Sequence, residues 1–208
     1  MGLPEQNKRH CGLRVPKVAV RRQKVAEAAR ALFCEHGFHA TGMAELSSRS
    51  GIKVGQIYRD FAGKEAIVAE IVRGDLATFL DTATLDAAIA RQDGGAVRGW
   101  LHGLVRREKD PGERRLFPEI LAEAARNDTV AHLFRSAEET IRAAIAIALE
   151  ALAPGDAKAE RRRRLANLLL TLMMGTSHRL TLVREDEVAA VLDSCTDLID
   201  RELDALSA

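Results

Sequence analysis

Residues 41–64, TGMAELSSRSGIKVGQIYRDFAGK, constrain the fold more than any other stretch of the chain. They read as two short helices folded tightly on each other. Residues 43–50 can form the first. Ser50-Gly51-Ile52 breaks it where a residue free to adopt positive φ is needed, and residues 54–61 form the second. Leu46, Ile52, Ile57 and Phe61 supply apolar inner faces, while Ser47 is small where a bulky side chain would hold the helices apart. This is the pattern of a helix-turn-helix, whose second helix lies in the major groove of DNA. On the outward side of that helix Lys53, Gln56 and Arg59 are long donors, and Gln56 can also pair with adenine. Taken alone, the same pattern also suits a plain structural hairpin.

The flanking residues narrow the choice. A helix over residues 21–36, the Gly37-Phe38 break, Thr41 before the next helix, Gly51-Ile52, then Gly55, Tyr58, Phe61 and Lys64-Glu65 follow one another in order. Together they resemble the DNA-binding domain of the tetracycline-repressor (TetR) family of bacterial regulators, over residues 20–72 of this chain. The resemblance implies an all-α protein with a three-helix head and a helical body for ligand binding and dimerisation. It implies a DNA-contacting set of Arg21, Arg22, Thr41, Lys53, Val54, Gln56, Tyr58, Arg59 and Lys64, with Thr41, Tyr58 and Lys64 meeting phosphates. Two positions depart from the commonest family pattern. Lys53 stands where Ser or Thr is frequent, which exchanges a capping hydroxyl for a charge. Asp60 stands where an aromatic or His is frequent. Its carboxylate would repel phosphate unless it pairs with Arg59 or Lys64 or accepts from cytosine N4.

Charge is distributed to match. The chain is +1 overall, but residues 1–75 hold 13 Lys+Arg against 8 Asp+Glu, and residues 76–208 hold 18 against 22. A basic region beside an acidic one suits a polyanion-binding head on a body that avoids the polyanion. Aromatic residues make up only 4% of the chain, helix formers dominate and no stretch alternates like a strand, so the class is all-α. Cys11, Cys34 and Cys195 are odd in number and far apart, as expected of reduced intracellular thiols. No secretory signal or membrane-length apolar run is present, so a cytoplasmic protein without membrane contact is expected. No metal cluster, phosphate-cradling glycine loop or paired nucleophile and base appears, so neither a cofactor nor an enzymatic activity is expected.

In chain order, residues 1–16 mix Gly2, Pro4, Gly12 and Pro16 with scattered charges and are expected to be a flexible basic tail. The alternative is an arm reaching phosphates or the minor groove through Arg14, Lys17, Arg21 or Arg22. The head takes residues 17–63. Its first helix, residues 17–35, carries the stripe Val18, Val25, Ala28, Ala29, Leu32 and Phe33. Thr41 is expected to cap the second helix. A linking helix over residues 64–81 bears Ile67, Ile71 and Phe79, and in the family such a helix transmits body movement to the head.

The body, residues 82–208, breaks into helices near residues 85–91, 96–107, 114–126, 128–153, 157–182 and 185–207, at Gly, Pro and Asn-Asp signals. Two apolar stripes stand out near its end. One holds Leu165, Leu168, Leu169 and Leu172, the other Val188, Val191, Leu192, Cys195, Leu198 and Ile199. Such stripes serve an intramolecular core, or, as the resemblance implies, the four-helix interface of a homodimer. The resemblance further implies an effector pocket. Trp100, His102, Leu104, Phe117, Ile120, Leu121, Met173, Met174 and His178 are candidates for its lining, and sparse charge there suggests a mainly apolar ligand. The basic run of residues 161–164 points around a helix axis and reads as a solvated, ion-paired surface. A helical adaptor that binds protein instead of DNA is the competing reading.

Overall fold

The computed structural model describes residues 16–106 and 113–207; the proposed N-terminal arm, with Arg14 and Cys11, lies outside the described residues. Ten α-helices and three single 3-10 turns make up these residues, with no strand among them. None of the helices is long and apolar enough to cross a membrane.

The head begins with α1, Lys17–His36, entered from Pro16 and stopped at Gly37, whose φ of +85° no side-chain-bearing residue adopts comfortably. The Gly37 N–H closes the helix by donating to Phe33 O at 3.0 Å. Val25, Ala26, Ala28, Ala29, Leu32 and Phe33 are buried. Val18, expected on the same stripe, is 48% exposed because the first two turns extend beyond the elements that cover the rest. Helix α2, Met43–Ser50, ends at Gly51 with φ +70°, as the turn chemistry requires. Helix α3, Val54–Asp60, is only seven residues long and buries Ile57 alone. Helix α4, Lys64–Leu80, buries Ile67, Val68, Ile71 and Leu80.

Local capping places the body helices. Asp81, at φ +37°, ends α4 and begins α5, Thr82–Ala90, where its carboxylate accepts from the Thr84 N–H and hydroxyl. The helix therefore starts three residues earlier than apolar spacing suggests. Asp93 does the same for α6, Gly94–Val105, through the Ala96 N–H, so Gly94 and Gly95 lie inside the first turn and not before it. Helix α7 is Leu116–Ala124, α8 is Asp128–Leu152 with Asn127 accepting from the Val130 N–H, and α9 is Ala159–Arg179. Helix α10, Val188–Ser207, completes the chain described.

Two main apolar cores follow, beside a small cluster of Leu180, Val188 and Leu192. The larger joins α5, α6, α8, α9 and α10 around Leu101, Ile145, Leu149, Leu169 and Ile199. The smaller unites Leu32, Phe33, Phe38, Leu46, Ile57, Phe61, Ile67 and Ile71 of the head with Leu116 and Ile120 of α7 and Val130 of α8. The head is thus sealed partly by the body. Polar contacts reinforce the seam. Glu119 Oε1 accepts the Phe38 N–H at 2.7 Å, and the buried Glu123 accepts from Asn127 at 3.0 Å and Arg126 at 3.2 Å, with His39 Nε2 at 2.8 Å. Burial pushes the Glu123 carboxyl up, and these hydrogen bonds outweigh it, leaving the group below its ordinary range.

Candidate nucleic-acid interface

Helix α3 is presented outward because its neighbours require so little of it. Ile57 and the following Phe61 turn into the small core. Apart from Asp60, the remaining positions lie on the solvent side. Lys53, Val54, Tyr58 and Arg59 are exposed and Gln56 is half-buried. Lys53 precedes the helix as its cap without a side-chain bond, its carbonyl accepting the Gln56 and Ile57 N–H groups. Among the described residues, the side chains of Lys53, Gln56 and Arg59 make no hydrogen bond or salt bridge. Two cations and an amide thus stand on one face, with the Tyr58 ring, 56% exposed, beside them.

Behind that face the other expected DNA contacts are engaged within the protein. Arg21 forks onto Asp60, Nε to Oδ2 at 2.5 Å and Nη2 to Oδ1 at 2.7 Å. Arg22 donates through Nη1 to the Asp60 carbonyl and through Nη2 to Glu70, both at 2.5 Å, and its guanidinium carbon lies 4.3 Å from the centroid of the Phe61 ring. The Arg21 hydrogen bonds hold the Asp60 carboxyl below its ordinary 3.8 against the upward push of burial. The Arg22 bond likewise holds Glu70 below 4.5. Asp60 therefore turns to α1, and neither Arg59 nor Lys64 is its hydrogen-bonded partner.

Lys64 and Thr41 also differ from expectation. An ammonium has three donors, and Lys64 Nζ directs them at the carbonyls of Phe38, Thr41 and His39, at 2.6, 3.0 and 3.4 Å, while lying 4.5 Å over the Phe38 ring. It ties down the α1–α2 turn and has no donor left for a phosphate. Thr41 is 1% exposed and its hydroxyl donates to Gly37 O at 2.8 Å. Gly42, not Thr41, occupies the cap position of α2, and no side chain caps that helix. The five residues left free on the interface are thus Lys53, Val54, Gln56, Tyr58 and Arg59, out of the nine expected.

The body corrects further expectations. Trp100 and Leu104 are buried in the larger core, with Trp100 Nε1 donating to Leu80 O at 2.6 Å. Ile120 is buried in the smaller core, and His102 faces Asp200 at 2.9 Å. These four pack in the cores or hydrogen-bond within the chain. Phe117, Leu121, Met173 and Met174 are half-buried and His178 is exposed, and they line neither of two surface depressions on the body. One of these, about 490 Å³, is bounded by Ser194, Asp197, Asp200 and Arg201; the other, about 460 Å³, by Ile89, Ala146, Ile147, Glu150 and Ala151. Of the expected dimer stripes, Leu165, Leu169, Val188, Leu192 and Ile199 are buried within their own chain. Leu168, Leu172, Val191, Cys195 and Leu198 remain half-buried at the outer edge. In the basic run Arg162 pairs with Glu150, and Arg163 and Arg164 pair with Glu160.

Sequence reasoning missed Glu70, Glu119 and Glu123. Glu70 and Glu123 have local partners in Arg73, Arg126 and Asn127, but the groups through which the three hold the head, Arg22, the Phe38 N–H and His39, lie tens of residues away, where no local spacing marks them.

The fold and the α3 face together define a helix-turn-helix protein. Residues 25–71, the head, match the family described as bacterial regulatory proteins, tetR family. It is 29% identical over 126 residues to the HTH-type transcriptional regulator UidR of Escherichia coli K12, a match covering 58% of this chain and 60% of UidR. Against the HTH-type transcriptional repressor KstR2 of Mycobacterium tuberculosis H37Rv it is 40% identical over 60 residues, 29% of this chain and 30% of KstR2. Among solved structures, a TetR transcription regulator from Haloarcula marismortui superposes with a TM-score of 0.72 at 15% identity, over 90% of this chain and 98% of that one. The chain thus matches less than two thirds of the length of these curated relatives, and the solved structure attests the fold.

Proposed function

We propose that the chain is a sequence-specific DNA-binding regulator that inserts α3 into the major groove and represses transcription from a palindromic operator in the cytoplasm. The observation that carries this reading is the outward face of α3, whose Lys53, Gln56 and Arg59 side chains have no hydrogen-bond or salt-bridge partner among the described residues. Long donors held unpaired beside a rigid core serve an external acceptor, and base edges and phosphates are such acceptors. Arg59 has the fork that fits guanine O6 and N7, Gln56 the amide that fits adenine. Lys53 supplies charge, and the exposed Tyr58 hydroxyl can reach a phosphate.

A palindrome needs two heads spaced about 34–36 Å apart. The outer edges of α9 and α10, with Leu168, Leu172, Val191 and Leu198, are the apolar surface available to pair two chains. A small, mainly apolar effector, lodged where Phe117, Leu121, Met173 and Met174 stand half-buried, would act on α7 and α9. Helix α7 also carries Glu119 and Glu123, which grip the α1–α2 turn, so a shift of α7 bears directly on the head. Release then requires that the effector bind the DNA-incompetent arrangement more tightly.

Selection from random duplex DNA tests the reading. An enriched inverted repeat with half-sites about 10 base pairs apart, centre to centre, is expected. Affinity should fall steeply between about 50 and about 200 mM salt. A pool that stays random, with binding indifferent to salt, would instead favour a protein-binding adaptor.

A further inference from the structure

We propose that Asp60 is a positioning residue for the recognition helix: through Arg21 and Arg22 it fixes the rotation of α3 against α1, and with it the register in which Gln56 and Arg59 meet base edges. The proposal rests on the DNA-binding reading above and concerns the same site. Helix α3 is seven residues long and buries one side chain, Ile57. With Phe61 just beyond its end as its other buried anchor, such a short helix can still turn about the line joining the two, and that turn moves Arg59, at the far end of a long side chain, by more than the tolerance of a bidentate base contact. A further attachment away from that line is required.

The Asp60 contacts provide it. The carboxylate side chain is 7% exposed, too enclosed to face DNA, and both its oxygens accept from the Arg21 fork. The carbonyl of the same residue accepts from Arg22, which is itself held by Glu70 of α4 and lies over the Phe61 ring. The attachment therefore links the last turn of α3 to both α1 and α4. It has a second physical use. A carboxylate at a helix C-terminus opposes the helix dipole, so Asp60 is unfavourable there unless cations accompany it, and the arginines that accompany it are the ones that orient the helix. The apolar anchors Ile57 and Phe61 together with the ionic attachment at Asp60 leave α3 a single pose.

The test uses the full chain and the duplex enriched by the wild type. Asp60→Asn keeps the side-chain size and loses the charge-assisted fork. Affinity for the enriched duplex should fall about ten-fold or more relative to a scrambled duplex, a loss of the size of one base contact. Affinity for the scrambled duplex, corrected for active fraction, should stay within about two-fold. Partial unfolding would lower both alike, so the ratio separates positioning from mere stability. Arg21→Gln should reproduce the loss, and the double variant should add little to either single change, as residues sharing one contact do. An unchanged ratio in Asp60→Asn would overturn the proposal. So would a rise in affinity for both duplexes, which would make Asp60 a decoy for an Arg21 that prefers phosphate. A preference altered at one cytosine alone would overturn it in favour of direct reading. If the wild type enriches no duplex, it is the DNA-binding reading that fails.

Discussion

Arg59 and Arg21 belong to the same small head and carry the same guanidinium, yet one is exposed with no salt bridge and the other is 22% exposed with both its bonds spent on Asp60. The contrast extends to the lysines. Lys53 before α3 has no side-chain partner among the described residues, whereas Lys64 before α4 is surrounded by three carbonyls. The outward face of α3 therefore keeps its donors for something outside the chain, and the rear of the head uses the same residue types to hold the helices in place. Residue type and motif position did not separate the two roles. An acceptor within reach did: Asp60, Glu70 and the α1–α2 turn lie behind α3, and among the described residues none bonds Lys53, Gln56 or Arg59 in front.

The rear should dominate stability. Phe61 is 2% exposed and packs between the small core and Arg22. Phe61→Ala should cost about 3–5 kcal/mol in denaturant unfolding, the range for a buried aromatic. A loss under about 1 kcal/mol would mean the rear does not hold the head together.

The two lysines give the direct comparison. Lys64→Met leaves the carbonyl of the buried Thr41 without its donor, so unfolding free energy should drop by about 1–3 kcal/mol. Affinity of the folded fraction for scrambled DNA should not change. Lys53→Ala should leave stability within about 0.5 kcal/mol and lower the slope of log affinity against log salt by about one unit. The reverse pattern, with Lys64 setting the slope and Lys53 the stability, would invert the two roles.

The smallest effect concerns pH. Asp60, Glu70 and Glu123 are all held below their ordinary values of 3.8, 4.5 and 4.5. A carboxyl depressed in the folded state adds stability above its unfolded value and loses it as pH falls through the folded one. Melting temperature should therefore be insensitive to these groups between pH 6 and 8, by the same relation roughly flat, and fall below about pH 4.5. In Asp60→Asn the acid-side fall should be shallower. An equally steep fall would show that the Arg21 fork contributes nothing to the rear of the head.

Much of the architecture was legible because its causes are local. Gly51 marks a turn since only its own φ is at issue, and Asn127 starts α8 by bonding an N–H three residues ahead. The outward placement of Lys53, Gln56 and Arg59 followed from the same short-range periodicity. The extra turns at Thr82 and Gly94 were missed because Asp81 and Asp93 act as caps where apolar spacing gives no sign. What stayed hidden was partnership. Arg21 and Asp60 are 39 residues apart, Arg22 and Glu70 are 48, and Phe38 and Glu119 are 81. The stripes of α9 and α10 likewise could not reveal whether they faced each other or a second chain, since an apolar face is indifferent to which apolar surface covers it.

By itself, then, the order of residues determined the helices, the tight corner before α3 and the side chains that corner turns outward, because hydrogen-bonded turns and 3.6-residue periodicity act over a few positions. Only the tertiary structure decided which of the basic side chains remain unpaired. A charge takes the nearest acceptor in space, and which acceptor is nearest depends on how α1, α4 and α7 pack around the head.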